Sequence, residues 1–221
     1  MSAALLEGRG IGRRSESGAW LLEDVSLRVA PGERVAVVGS SGAGKSLLLR
    51  ALAGLDPVQA GEVLWHGRTV AADGMPAFRA RAVYLHQRAV SFAGSVAENL
   101  RLPFILAVHA GRAWEPDRAA ARLESLGRGP DFLDKPTRDL SGGEAQIVAF
   151  LRAIQLDPEV LLLDEPTAAL DPEAAGSIEA LVRSWHAELP GRGLVWVGHD
   201  REQAGRMADR EIRLRAGRRV A

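Results

Sequence analysis

The sequence predicts an α/β fold, a mostly parallel sheet joined to a β-rich region and an α-helical insertion, and three observations carry it. The first is a strand, a glycine-rich loop and a helix in direct succession. Arg34 to Val38 is a β-branched run, Gly39-Ser40-Ser41-Gly42-Ala43-Gly44-Lys45-Ser46 matches the pattern G-x-x-x-x-G-K-[ST], and Ser46 to Leu55 has helical spacing. The second is a pair of short apolar runs, Val160 to Asp164 and Leu194 to Val197, each followed by a helical pattern, as in a sheet of buried parallel strands. The third is a change of texture from about 90 to 156, where Val96 to Ala107, Asp117 to Leu126 and Gly142 to Leu156 are rich in alanine and leucine at helical spacing.

Along the chain, residues 20 to 38 and 61 to 86 read as strands punctuated by glycine and proline, with alternations such as Val25-Ser26-Leu27 and Val83-Tyr84-Leu85. Beyond Ala208, one strand and a basic tail are expected, with no room for an accessory domain. The whole is expected to form a single domain. Its β-rich core lobe covers about 1–89 and 157–221, and its helical subdomain about 90–156.

Composition narrows the function classes. Hydrophobic residues make up 47% of 221 residues, enough for an ordinary core. Charges balance at 28 against 28, which gives no overall electrostatic case for nucleic acid or an anionic membrane surface. Without cysteine there are no disulfides, thiol catalysis or thiolate metal sites. Met1 to Glu7 lacks the basic start and apolar stretch of a signal peptide, so no secretion is expected. The longest apolar runs fall far below the ~20 residues that span a bilayer; if the protein works at a membrane, another chain crosses it.

The loop pattern has a direct chemical meaning. Glycines let the backbone curl so that successive N–H groups point inward, and the helix N-terminus adds its positive dipole end, forming a nest for an anion such as a triphosphate. Of 28 basic residues only Lys45 and Lys135 are lysines. A compact ammonium suits the β- and γ-phosphates, where an arginine fork would demand a different loop. The Ser46 hydroxyl is a ligand for Mg²⁺, a hard cation that takes few protein oxygens.

Asp164 and Glu165 end the buried run from Val160, at the edge where open α/β sheets bind ligands. Adjacent side chains there diverge, leaving Asp164 to hold Mg²⁺ and Glu165 to orient or deprotonate a water. Leu140 to Gln146 is locally a capping box, Ser141 capping a helix and Glu144 returning the hydrogen bond. Its two glycines, Gly142 and Gly143, also bare N–H groups toward an anion. Asp171-Pro172-Glu173 is a helix start, with Asp as cap and Pro at the first helical position.

The phosphate loop, Gln87, Leu140 to Gln146, Asp164-Glu165, Ala169-Leu170-Asp171 and His199 stand in the order found in the nucleotide-binding subunits of ABC transporters, which the chain resembles over nearly its whole length. The resemblance implies a phosphate-loop ATPase core with an antiparallel β subdomain and a helical insertion. It implies ATP and Mg²⁺ as ligands, with Gly39 to Leu47, Ser141 to Gly143 and Asp171 at the nucleotide and Ser46, Gln87 and Asp164 at the metal. Glu165, His199 and Gln87 serve hydrolysis. It also implies a homodimer packed head to tail around two ATP, each phosphate loop facing the other copy's Ser141 to Gly143 segment. A multispanning membrane permease is expected as partner, with residues 88–108 the candidates for its docking groove, the chain lying in the cytoplasm on the inner face of the membrane and no nucleic acid expected as partner. Where the family stacks an aromatic ring on adenine, the candidates are Trp20, Arg13 and Arg14. Leu47, Gly198 and Glu144-Ala145-Gln146 depart from the family's usual residues without removing a catalytic group.

Tyr84 to Gln87, Phe92 to Val96, Asn99 to Phe104, Leu151 to Gln155 and Leu194 to Val197 are phrased like the ATPase of Fet-type iron-export systems. Amino-acid, phosphate or lipoprotein transporters and soluble ABC ATPases acting on nucleic acid or ribosomes are the alternatives. Ser141 to Gln146 argues against an unrelated phosphate-loop kinase or GTPase.

Overall fold

A computed structural model describes residues 3–220. Two sheets form the frame. The smaller is antiparallel and has the order β2-β1-β4-β5, built from β1 (Leu6–Arg14), β2 (Trp20–Val29), β4 (Ala60–Trp65) and β5 (Arg68–Thr69). The larger has the order β10-β9-β3-β8-β7-β6, built from β3 (Arg34–Val38), β6 (Ala82–Leu85), β7 (Val160–Asp164), β8 (Gly193–Val197), β9 (Arg210–Arg215) and β10 (Arg218–Val220). Every pairing in it is parallel except the β9–β10 edge. The expected α/β class, with a mostly parallel sheet and an antiparallel one, is what the chain forms.

Helices α1 (Lys45–Leu52), α2 (Met75–Arg81), α3 (Val96–Arg101), α4 (Pro116–Ser125), α5 (Gly142–Ile154), α6 (Pro172–Glu188) and α7 (Arg201–Met207) complete the fold. Each face of the large sheet has its own apolar core. One, around Leu49, Leu52, Val37, Leu162 and Val195, lies against α1 and the antiparallel sheet. The other, around Trp185, Trp196, Phe150, Leu161 and Leu163, lies against α5 and α6. β7 and β8 are therefore buried on both faces, which is why they read as continuous apolar runs.

Three local expectations need correction. The stretch from 61 to 86 is not all strand, since α2 occupies Met75–Arg81, with proline in its first turn and Phe78 buried beneath it. The helix expected from Val96 to Ala107 ends at Arg101 and continues as 3₁₀ turns at Leu102–Ile105 and Ala107–His109. Pro103 cannot supply the amide an α-helix needs there. The C-terminal basic tail is a second strand, β10, joined to β9 by Ala216 and Gly217, both at positive φ (48° and 75°), as a two-residue hairpin turn requires. That hairpin backs the phosphate loop: Gly217 N–H donates to the Ala43 carbonyl at 3.1 Å.

Candidate functional site

The phosphate loop leaves β3 at Val38 and enters α1 at Lys45. Gly39 passes so close to β9 that a Cβ there would lie 2.4 Å from the Leu214 carbonyl oxygen. Gly44 caps α1 at φ 98°, a conformation L side chains rarely adopt, and offers no side-chain hydrogen bond. The first amides of α1 therefore have neither an intrahelical carbonyl nor a side-chain cap, the condition that suits an anion. Lys45 is only 5% exposed, unusual for lysine, because its Nζ is fully engaged. It donates to the Gly39 carbonyl at 2.9 Å and the Ser40 carbonyl at 3.2 Å, and lies 3.4 Å from Glu165 Oε1.

Asp164, at the end of β7, is buried, so its charge needs partners. Ser46 Oγ donates to its Oδ1 at 3.0 Å across 118 residues of sequence, and the Tyr84 hydroxyl donates to Oδ2 at 2.8 Å. Burial, then the hydrogen bond to Asp164 and its negative charge, push the Tyr84 hydroxyl up, so it stays a donor. In the sequence Tyr84 stands in a strand, with nothing to mark it as a partner of Asp164. Its position in β6, whose pairing with β7 sets it opposite Leu162, was its only signal. A serine hydroxyl and a carboxylate hydrogen-bonded at one ligand edge are a hard-oxygen pair of the kind Mg²⁺ takes, so the donor set fits. Gln87 is exposed just beyond β6, and no hydrogen bond among the described residues joins it to Ser46 or Asp164.

Glu165 follows immediately but points elsewhere. Its backbone stands at φ 46°, in the left-handed region, held by its N–H donating to the Val197 carbonyl at 3.0 Å. A non-glycine residue there carries about 1–3 kcal/mol of strain. The carboxylate it aims lies between Lys45 on one side and His199 Nδ1, 3.9 Å away, on the other. His199 itself is 70% exposed. The loop after Glu165 is tied to the helix after His199 by a buried relay: Gln203 Nε2 donates to Thr167 Oγ1 at 2.9 Å and to Glu179 Oε1 at 3.0 Å. No sequence pattern marks Gln203 or Thr167 for this part.

Ser141, Gly142 and Gly143 form a separate cluster. Ser141 caps α5 with both halves of the expected box, Glu144 N–H donating to Ser141 Oγ at 3.2 Å and Ser141 N–H to Glu144 Oε2 at 2.9 Å. Lys135, the chain's other lysine, donates to Glu144 at 2.8 Å, and Arg128 lies 3.5 Å from it. Burial alone raises the Glu144 carboxyl, but Lys135, the Ser141 amide and Arg128 together hold it below the usual range. Gly143 abuts the start of α6, where a Cβ would come within 2.9 Å of Ala174 Cβ. Asp171 caps that helix, accepting from Ala174 N–H at 2.9 Å. The N-termini of α5 and α6 thus sit side by side. Among the described residues, no hydrogen bond or ion pair joins this cluster to the phosphate loop.

The adenine candidates do not stand alike. Arg13 donates to the Pro57 carbonyl at 2.9 Å and lies 3.5 Å from Asp56. Arg14 instead covers the Trp20 ring at 4.0 Å, so those two are one stacked unit at the start of β2.

Residues 88–108 split in two. Val96 and Leu100 are core, whereas Val90, Phe92, Ile105, Leu106 and Val108 are exposed. Of these, Leu106 and Val108 line a largely apolar groove of about 580 Å³, whose wall also includes Pro76, Tyr84, Leu85, Pro103 and Arg152. No helix among the described residues is long and apolar enough to cross a membrane.

Residues 22–168 match the model of the ABC transporter family. The chain is 38% identical to a lipoprotein-releasing system ATP-binding protein of Pseudomonas syringae pv. tomato, covering 98% of this chain and 97% of that one. It is also 38% identical to a nickel import ATP-binding protein of Rhodobacter capsulatus, over 91% of this chain and 82% of that one. An sn-glycerol-3-phosphate import ATP-binding protein of Chromohalobacter salexigens is 37% identical, and the chain spans only 57% of its length. Among solved structures, an ATP-binding cassette seen as a dimer in a post-hydrolysis state with ADP and phosphate superposes with a TM-score of 0.83 at 28% identity, covering 98% of this chain and 97% of that one.

Proposed function

The chain belongs to the ABC transporter family as an ATP-binding, ATP-hydrolysing subunit, and from that premise we propose that two copies pack head to tail and share two ATP. The observation that carries this reading is the separation of two anion-facing helix ends within one chain. In the proposed dimer the phosphates of ATP lie on the Gly39 to Leu47 loop of one copy. The bare Gly142 and Gly143 amides and Ser141 of the other copy meet the γ-phosphate, with Asp171 beside them at the interface. Lys45 exchanges the Gly39 and Ser40 carbonyls for phosphate oxygens. Glu165 accepts a proton from the attacking water, and His199 lies on the open side of that carboxylate to contact the γ-phosphate. Ser46, Asp164 and Gln87 would hold Mg²⁺, which when bound offsets the negative charge of the β- and γ-phosphates. Trp20, covered by Arg14, is the platform for adenine.

The same reading makes the molecule one working domain, with a core lobe over about 1–89 and 157–221 and a helical lobe over about 90–156. It lies on the cytoplasmic face of the membrane. A helix of a multispanning permease would seat in the groove lined by Leu106 and Val108, apolar side chains of the chain's own 88–108 segment, in which Val90, Phe92 and Ile105 are also exposed. For cargo, the phrasing around Tyr84 to Gln87 and Asn99 to Phe104 supports metal export of the Fet type. Relatives of similar identity carry the names of lipoprotein-release and nickel-import proteins. Lipoprotein release is the second reading, because that relative matches this chain end to end.

The dimer is tested by Ser141→Arg. ATP binding is expected to stay within about twofold of the unaltered chain while hydrolysis falls at least about a hundredfold, because the added side chain blocks the other copy's site. Retained hydrolysis would overturn the shared site. Identification of the membrane subunit that co-purifies from detergent-solubilised membranes tests the cargo.

A further inference from the structure

Far from the phosphate loop in sequence, the helical segment is riveted to the large sheet by arginines. Asp157, in the turn between α5 and β7, accepts from Arg118 at 2.6 and 3.0 Å, from Arg192 at 3.1 Å and from Arg112 at 3.2 Å. Glu188, at the end of α6, accepts from Arg122 at 2.9 Å and from Arg192 at 3.3 Å. A cavity of about 160 Å³ opens on this seam between α4 and α5. That is well above the ~10–15 Å³ a single water needs. Its wall includes Phe104, Arg112, Glu115, Arg118, Arg122 and Gln155.

The charges around it do not balance. Four guanidinium groups, of Arg112, Arg118, Arg122 and Arg192, face three carboxylates, and of those three only Glu115 stands on the cavity wall. Arg122 is the least satisfied member. Its side chain is 12% exposed, its Nη2 is taken by Glu188, and its buried Nη1 has no hydrogen-bond partner. Burial pushes this guanidinium below the ordinary arginine range, and Glu188 only partly restores it. A charged donor left unmatched in a buried place is costly, and the Arg122 side chain stands on the cavity wall, where an anion lowers that cost by offsetting the guanidinium charge.

We infer that this cavity is a binding site for a small tetrahedral oxyanion, of the size and charge of inorganic phosphate, gathered by Arg112, Arg118 and Arg122. Arginine forks match such oxyanions two bonds at a time. Because Arg118 and Arg122 belong to α4 while Asp157 and Glu188 flank the sheet, an anion here binds the helical segment more firmly to the core.

The test is a calorimetric titration of inorganic phosphate, at constant ionic strength, into the full chain saturated with a non-hydrolysable ATP analogue, whose γ-phosphoryl group occupies the position that ADP would leave open to phosphate. A saturable single-site isotherm is expected. Arg122→Gln should weaken it about tenfold or more. Glu115→Gln, which removes the carboxylate from the wall, should tighten it about threefold, a gain that misfolding cannot produce. Absence of saturable binding in the unaltered chain, an unchanged isotherm in Arg122→Gln, or no tightening in Glu115→Gln would each overturn the inference.

Discussion

The N-termini of α1 and α5 are the same physical device in opposite conditions. At α1 the cation that faces the loop is buried and spent on the chain itself, Lys45 holding two loop carbonyls and lying 3.4 Å from Glu165. At α5 the supporting lysine stands behind the helix end, where Lys135 secures Glu144, while Ser141 and Gly142 stay exposed. The first end is closed by internal partners, which in the proposed nucleotide-bound state the phosphates displace. The second is stiffened from behind and left open in front. With no hydrogen bond or ion pair to its own phosphate loop among the described residues, this helix end fits the dimer proposed above, in which another copy presents the ligand.

Three changes probe that contrast. Glu165→Gln keeps the shape between Lys45 and His199 but cannot take a proton. Hydrolysis should fall about 10²- to 10⁴-fold while ATP still binds, and an ATP-dependent dimer should accumulate on gel filtration. A chain that stays monomeric at saturating ATP would break the pairing of the two helix ends. Lys45→Ala removes the closed end's cation and leaves Glu165 without it. ATP affinity should drop about 10- to 150-fold, the equivalent of about 1.5–3 kcal/mol, as read by equilibrium binding of a fluorescent ATP analogue. An unchanged affinity would mean that the loop amides hold the phosphates without Lys45.

The smallest effect concerns the open end. The Glu144 carboxyl is depressed, so the stability it contributes is present above the ordinary glutamate range, about 4.3, and is lost as pH falls through the depressed value. Melting temperatures from pH 6 down to pH 3 should therefore show the unaltered chain losing an advantage of about 1 kcal/mol over Glu144→Gln. A constant gap across that range would show that Lys135 does not support the cap through charge.

Legibility followed range along the chain. The capping box at Ser141, the cap at Asp171 and the strand, loop and helix around Lys45 all lie where the sequence places them. Each is made by residues within a few positions of one another. Tyr84 was illegible because its meaning comes from a carboxylate 80 residues away. The strand expected after Ala208 is β9, but β10 reads as a basic tail because all three of its residues, Arg218, Arg219 and Val220, are exposed and none marks an inward apolar position. Helix α2 was missed because its proline and flanking glycine look like punctuation until Phe78 finds the core.

Short-range chemistry was thus enough to specify the fold class, the helix starts at Lys45 and Gly142 and the strand end at Asp164, since backbone geometry and capping are settled by neighbours. Long-range packing settled the rest. It set Ser46 and Tyr84 on Asp164, turned Glu165 into the left-handed region toward Lys45, brought Arg13 beside Asp56 and kept Ser141 apart from the loop. The physical reason is that a buried charge takes whatever partner the core brings to it, and the sheet order that brings those partners is a property of the whole chain.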